Sequence, residues 1–289
     1  MNELDALGFV GLGQMGKPMA ANISSHALPL HVFDVAGTKE RAPANAIAEA
    51  SLADVACKAE TIFLSLPDGP ISTAVVKDIC LTSGRKTSVI IDLSTIGPDA
   101  AREAGELCKA QGVTYVDAPV SGGAAGAKSG SITIMWAGPE PELVRHQDVL
   151  DRFSKYQFHV GDLAGQGQAL KILNNFLSAT AMAATTEAML FGLSQGLEMK
   201  TMLDVVNVST GQNTASRDKF PERVLTGTFD AGFKSALLAK DVKLYLENTR
   251  NAETPNDVAG LISKIWTACD ESRPGSDFTR VYEFIRDGK

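Results

Sequence analysis

The stretch Ala6-Leu7-Gly8-Phe9-Val10-Gly11-Leu12-Gly13-Gln14-Met15-Gly16-Lys17-Pro18-Met19-Ala20-Ala21-Asn22 decides the fold. It reads as a short apolar strand, a glycine turn and the start of a helix. Glycines at 11, 13 and 16 have the dinucleotide spacing. Gly11 permits the tight turn, Gly13 lets the backbone approach a pyrophosphate, and Gly16 lets the helix pack on the strand. Gln14 and Met15 complete the turn as candidate cofactor contacts, and the helix N-terminus offers N–H groups and a partial positive charge to phosphates. Alone, this spacing is a weak signal, and its context strengthens it. The next apolar run, Leu28 to Phe33, ends in Asp34, about 20 residues on, where a carboxylate accepts from a ribose 2′-OH and repels a 2′-phosphate. The alternative is a glycine-rich loop that binds nothing.

Outward from that stretch, 289 residues fit one large or two ordinary domains, and 44% apolar with 21% charged residues is the balance of a soluble globular protein. A net charge of −7 argues against a nucleic-acid partner, which needs a basic face. Cys57, Cys80, Cys108 and Cys269 are scattered without CxxC spacing and read as reduced structural thiols in a cytoplasmic setting. The first strand starts within a few residues of Met1, so no targeting peptide is expected. The apolar stretch Phe176 to Leu193 is interrupted by Ser178, Thr180, Thr185, Thr186 and Glu187, so we expect a buried helix and no membrane span. His26, His31, His146 and His159 are dispersed, and no metal-ligand spacing or GxSxG elbow occurs, so no metal is expected.

The first half alternates strands (Leu7–Val10, Leu30–Phe33, 61–66, 88–92, Thr114–Asp117, 131–137 and 157–160) with helical segments such as 71–80 and 99–111. Repeated alternation means a largely parallel sheet covered by helices. After Asp162 strand signals stop. A long Ala/Leu/Met-rich helix is expected over 168–195, then helices over 201–209, 235–251, 255–270 and 277–286. The expected class is therefore α/β: an N-terminal Rossmann dinucleotide-binding domain, residues 1–163, followed by an all-helical C-terminal domain built on one long helix, residues 164–289.

Four constellations follow, each with a plainer alternative. Lys171 and Asn175, four apart, share one face of the long helix, with Asn174 nearby. A lysine there is a proton donor or acceptor if desolvation lowers its pKa, or else it snorkels to solvent. Asp117-Ala118-Pro119-Val120-Ser121-Gly122-Gly123 follows a strand, where α/β sheets bind ligands. Its Ser-Gly-Gly backbone can line up N–H donors for a carboxylate, or form an ordinary turn. Asp92-Leu93-Ser94-Thr95 and Leu66-Pro67 end strands and either border a nicotinamide ribose or are plain termini. Lys240-Asp241 on a polar helix reads as a solvated ion pair.

Taken together, Gly11–Gly16 with Met19, Ala20 and Asn22, Asp92–Thr95, Asp117–Gly123, Gly165-Gln166-Gly167 with Lys171, Asn174 and Asn175, and Lys240-Asp241 resemble, in order and over essentially the whole chain, the β-hydroxyacid dehydrogenase family. The resemblance implies that Lys171 is the general acid/base, Asn175 a substrate-holding residue and Ser121-Gly122-Gly123 the carboxylate-binding turn. It puts Thr95 and Lys240 near the nicotinamide. It implies hydride transfer between a nicotinamide cofactor and a small 3-hydroxy acid or its semialdehyde, and a homodimer or homotetramer packed through the helical domain. Val35-Ala36-Gly37-Thr38 after Asp34 holds no arginine, which points to NAD, with NADP as the alternative. The segment Ser209 to Pro221, with Gln212, Asn213 and Phe233, is expected to shape the substrate pocket. Rival readings are an imine reductase, against which Lys171 argues; a 6-phosphogluconate dehydrogenase relative, for which the chain looks short; and a catalytically silent NAD-binding protein.

Overall fold

The structure, a computed structural model, describes residues 5–25 and 28–288. His26 lies outside the described residues. The strands are β1 (Leu7–Val10), β2 (Leu30–Phe33), β3 (Ile47–Ala48), β4 (Thr61–Leu64), β5 (Val89–Asp92), β6 (Thr114–Asp117), β7 (Val120–Ser121), β8 (Ile132–Ala137) and β9 (Ser154–Gly161). The helices are α1 (Gly16–Ile23), α2 (Thr38–Arg41), α3 (Leu52–Lys58), α4 (Gly69–Leu81), α5 (Pro98–Ala110), α6 (Gly123–Ser129), α7 (Glu140–Arg145), α8 (Gln147–Leu150), α9 (Gln166–Ser194), α10 (Met199–Val206), α11 (Ser235–Asn251), α12 (Asp257–Ser272) and α13 (Val281–Arg286). A π-helical segment, Ala215–Val224, precedes α11, and a single 3₁₀ turn, Phe278–Arg280, precedes α13.

The chain divides into two compact units, Met1–Lys171 and Ile172–Lys289. In the first, six parallel strands run in the order β3-β2-β1-β4-β5-β6, the doubly wound order. β8 joins antiparallel to β6 and β7, and β9 runs parallel to β8 at the far edge. Strands β1, β4 and β5 are buried at every position because helices cover both faces. One face packs Leu7, Phe9, Phe63 and Ile91 against Met19, Trp136 and Phe153. The other packs Val10, Ile62, Leu64 and Ile90 against Val55, Val76, Ile79 and Ala104. The C-terminal ends of the parallel strands therefore gather Gly11, Asp34, Leu66, Ser94 and Asp117 along one edge.

The second unit is helical around Trp266, Phe220, Phe278 and Val281, packed with Met182, Leu238 and Val242. Long helix α9 crosses the division and is about 44 Å long at 1.5 Å per residue. It corrects one expectation. By length and composition it would suffice to cross a membrane, and only 39% of its most apolar window is buried. Leu173, Leu177, Phe191 and Leu193 are exposed, so the stretch is not the wholly buried helix its small polar residues suggested. Short strands β3 and β7 and the π-helical segment are additions that apolar periodicity did not indicate, and the four cysteines are free thiols.

Candidate active site

The glycine turn has the sterics its spacing requires. Gly11 adopts φ +93°, and a Cβ on it would stand 2.2 Å from the Ser65 carbonyl oxygen. A Cβ on Gly16 would stand 1.9 Å from the carbonyl oxygen of Gly11. A Cβ on Gly13 would meet open space, so that glycine leaves room for an incoming group and relieves no internal clash. No side chain caps α1, whose first turn therefore presents backbone N–H groups. Asp34, just past β2, is held between two amides: Oδ2 accepts from Leu12 N at 2.6 Å and Oδ1 from Ala36 N at 2.8 Å. Each carboxylate oxygen keeps a lone pair for a further donor. An open approach at Gly13, an uncapped helix start and a fixed carboxylate fit the pyrophosphate and adenosine ribose of a dinucleotide. One neighbour was missed in the sequence: Arg41, at the end of α2, places Nη1 3.8 Å from Asp34 Oδ2. Arg41 lies beyond the segment 35–38 that follows Asp34 directly, and the single turn of α2 brings it back.

At the tips of β4 and β5, Ser94 Oγ accepts from Leu66 N at 2.8 Å. The two strand ends are thus fastened together, with Pro67 exposed and Thr95 half-buried beside them. Asp92 is fully buried under this corner. It accepts from the Ser72 hydroxyl, from Ser94 N at 2.9 Å and from Tyr115 Oη at 3.2 Å. Burial pushes its carboxyl above the usual range, against the lowering effect of these donors. Its function is to hold the corner.

Ser121 closes β7 opposite Thr133 of β8. Gly122 and Gly123 both have positive φ, +132° and +63°: the first is a backbone state other residues rarely adopt, and the second is the left-handed region that glycine enters without steric cost. A Cβ on Gly122 would also crowd Ile132, 3.2 Å from its Cα. The turn leads directly into α6. Lys171 is 8% exposed, so the snorkelling alternative fails for this chain. It stands in the second turn of α9, whose first turn lies tight on the sheet: a Cβ on Gly167 would be 2.7 Å from the Met135 carbonyl oxygen and 2.8 Å from that of Asp117.

In the helical unit, Asn175 is buried, and its Nδ2 donates to Asp241 Oδ2 at 2.6 Å while its Oδ1 accepts from Asn174 at 3.2 Å. Lys240 Nζ lies 3.4 Å from Asp241 Oδ1. The expected solvated ion pair is corrected here, because Asp241 is 2% exposed and serves to orient Asn175. Phe176 and Tyr245 stack at 4.3 Å between the same two helices. Gln212 and Asn213 are tied within this unit. Gln212 Nε2 donates to Asn207 O, and Asn213 Oδ1 accepts from Ala215 N and Ser216 N at the start of the π-helical segment. Phe233 packs edge-on to Phe278. Among the described residues no group of three His, Cys, Asp or Glu side chains is placed to hold a metal ion.

Residues 6–161 match the family described as the NAD binding domain of 6-phosphogluconate dehydrogenase, and residues 165–285 that described as NAD-binding of NADP-dependent 3-hydroxyisobutyrate dehydrogenase. The chain is 34% identical over 273 residues to 2-(hydroxymethyl)glutarate dehydrogenase of Eubacterium barkeri, covering 92% of this chain and 89% of that protein. It is also 34% identical over 292 residues to the mitochondrial 3-hydroxyisobutyrate dehydrogenase of Rattus norvegicus, covering 97% and 87%. The solved 3-hydroxyisobutyrate dehydrogenase of Mycobacterium tuberculosis with L-serine superimposes with a TM-score of 0.91 at 28% identity, over 98% of this chain and 99% of that one. Fold, fingerprint and matches together define a nicotinamide-dinucleotide-dependent oxidoreductase with an all-helical second domain. Within that class, the chain belongs to the β-hydroxyacid dehydrogenase family. The matches favour the hydroxyacid dehydrogenase reading over the imine reductase, 6-phosphogluconate dehydrogenase and silent-binder alternatives.

Proposed function

We propose that the enzyme oxidises a small 3-hydroxy acid to its semialdehyde, or runs the reverse reduction, with Lys171 as general acid/base and NAD preferred over NADP. The observation that carries this reading is the burial of a lysine one turn into a helix whose start is seated on β6 and β8 of the same sheet whose β1 leads into the dinucleotide fingerprint. In oxidation, neutral Lys171 Nζ takes the hydroxyl proton; in reduction, the protonated amine gives it to the carbonyl oxygen. Ser121, Gly122 and Gly123 hold the carboxylate by hydroxyl and amide donors and so fix the reacting carbon. Asn175, oriented by Asp241, hydrogen-bonds the substrate. Gly11, Gly13, Gln14, Met15 and Gly16 hold the pyrophosphate, Asp34 the ribose, and Leu66, Pro67, Thr95 and Lys240 border the nicotinamide end. When bound, the nicotinamide supplies or takes up the hydride.

The substrate class follows from shared chemistry. 3-Hydroxyisobutyrate, 2-(hydroxymethyl)glutarate and L-serine, the compounds named for the relatives, all carry a primary alcohol one carbon removed from the carbon that bears a carboxylate. That separation suits one group that holds a carboxylate and another that handles the hydroxyl proton. The exposed leucines and Phe191 of α9 support assembly as a homodimer or homotetramer through the helical domain, since an apolar stripe of this length is stabilised by a second copy. We place the enzyme in the cytoplasm, with neither nucleic acid nor membrane as partner.

The test is NADH appearance at 340 nm, at about pH 9 to favour neutral lysine. The panel is 3-hydroxyisobutyrate, 3-hydroxypropionate, glycerate, serine, threonate and 4-hydroxybutyrate, with wild type beside Lys171→Ala. The expected result is turnover of one or more 3-hydroxy acids, with kcat lowered about 10²- to 10⁴-fold in the variant. Turnover that survives the substitution removes Lys171 from the mechanism, and NAD binding with no turnover across the panel removes the substrate class.

A further inference from the structure

Gln168 stands three residues before Lys171 on α9 and is completely buried. Its carboxamide uses its whole hydrogen-bonding capacity. Oε1 accepts from Ile96 N at 2.9 Å and Gly97 N at 3.1 Å, and Nε2 donates to the Ser94 carbonyl oxygen at 2.9 Å and to Asp117 Oδ1 at 2.8 Å. Two amide donors face one end and two acceptors the other, so the orientation of the amide is dictated by its partners. Asp117 completes the arrangement. Its second oxygen, Oδ2, accepts from Gly165 N at 2.9 Å and Gln168 N at 3.0 Å, the amides at the start of α9 that have no partner within the helix. The segment Ser94–Gly97, which contains Thr95, the end of β6 and the first turn of α9 are thereby joined through two side chains 51 residues apart in sequence.

Holding a helix in place does not require a buried glutamine with every bond satisfied, because apolar packing does that at lower desolvation cost. What this arrangement adds is a single register. The carboxamide is read by four groups at once, so a rotation or slip of the first turn breaks several bonds together. Lys171, at i+3, follows in the next turn of the same helix and moves with it. We propose that Gln168, braced by Asp117, is a positioning residue for Lys171, setting the lysine amine against the loop that carries Thr95. The proposal rests on the assignment of Lys171 as the acid/base.

The test is a double-mutant cycle in the full enzyme. Gln168→Glu keeps the acceptor for Ile96 N and Gly97 N and loses both donated bonds; Gln168→Asn keeps the amide and withdraws it by one methylene. Either variant with wild-type circular dichroism serves. The expected result is a kcat loss of about 10²-fold, the scale of a misplacement near 1 Å, with NADH affinity by fluorescence titration within twofold and KM within threefold. On a Lys171→Ala background the same change alters the residual rate less than twofold, since a residue acting through the lysine has nothing left to act on. Equal losses on both backgrounds, an unchanged kcat in a folded variant, or failure of both variants to fold would each overturn the positioning role while leaving Lys171 as acid/base. Wild-type kcat in Lys171→Ala alone would overturn the assignment beneath it.

Discussion

Cofactor choice is where the structure adds most to the sequence, and Asp34→Asn with Val35→Arg is the perturbation that tests it. Asp34 is locked between Leu12 N and Ala36 N, so its carboxylate cannot swing away from an arriving 2′-phosphate. Asparagine keeps one acceptor for Leu12 N and leaves the glycine turn closed. Val35 is 93% exposed, so an arginine fits there without repacking. A ribose hydroxyl donating to a charged carboxylate is worth about 1.5–3 kcal/mol, which NAD loses. Repulsion between the carboxylate and a phosphate of roughly twofold charge costs about 2 kcal/mol at 4 Å in a water-like medium. Arg41, 3.8 Å from Asp34, already offsets about half of that. An exposed arginine–phosphate contact adds about 0.2–1 kcal/mol. The sum is about 3–5 kcal/mol, which moves the NAD/NADP ratio of kcat/KM by roughly 10²- to several 10³-fold toward NADP. Initial rates at saturating hydroxy acid with each cofactor varied give that ratio directly. A movement of less than threefold would show that Asp34 does not read the ribose and that Arg41 already sets the preference.

Three further outcomes are expected. Gly16→Ala drives a Cβ into the Gly11 carbonyl, backbone against backbone, and costs about 3 kcal/mol or more; thermal melting shows a lowered Tm with NADH binding lost, and a wild-type melt with intact binding would contradict the turn. Asp117 has its carboxyl pushed up to about 6, first by burial, with donors from Gln168 and Gly165 opposing and the Asp92 charge adding to the rise. The folded state therefore binds this proton more tightly than the unfolded chain, whose carboxyl titrates near 3.9, so stability is lost as pH rises from about 4 through about 6, by about 3 kcal/mol in all. Urea melts of Asp117→Asn subtracted from wild type across pH 4 to 7 should show that slope in the variant's favour, and a flat difference would remove it. Leu177→Glu together with Phe191→Glu, on the exposed stripe of α9, should reduce the assembly to a monomer by light scattering; a wild-type enzyme that is already monomeric at tens of micromolar would refute that interface.

Much of this was legible in the chain because local physics wrote it there. Short, largely apolar segments between helical ones mark β1, β2 and β6 to the residue; β1, buried on both faces, carries nothing but apolar residues and glycine, while β2 and β6 keep enough apolar positions around His31 and between Thr114 and Asp117 to be read. The two-residue strands β3 and β7 are too short to carry a period. Strand β9 extends three residues before the apolar run that marked it, because as an edge strand it exposes Lys155 and Tyr156 and has no buried pattern to read at that end. The π-helical segment Ala215–Val224 is polar and contains Pro221, which reads locally as a break.

The site divides the same way. Gly11, Gly16 and Gly122 announce themselves because each serves a strained backbone state or a close approach that a Cβ would block. Lys171 and Asn175 are visible as polar positions one turn apart on an apolar helix. What spacing could not disclose is what holds them: Asp241 stands 66 residues from Asn175, and Gln168 reaches back 74 residues to Ser94. The groups proposed to touch substrate lie in short motifs whose residue types follow from the chemistry. The groups that aim them are buried amides and carboxylates, indistinguishable in sequence from any other polar residue and recognisable only by partners the fold delivers. It follows that a chain could retain every motif residue here and still be slow. A relative with glycines, Lys171 and Asn175 intact but an apolar residue in place of Gln168 would bind its cofactor and carry its lysine in the wrong register.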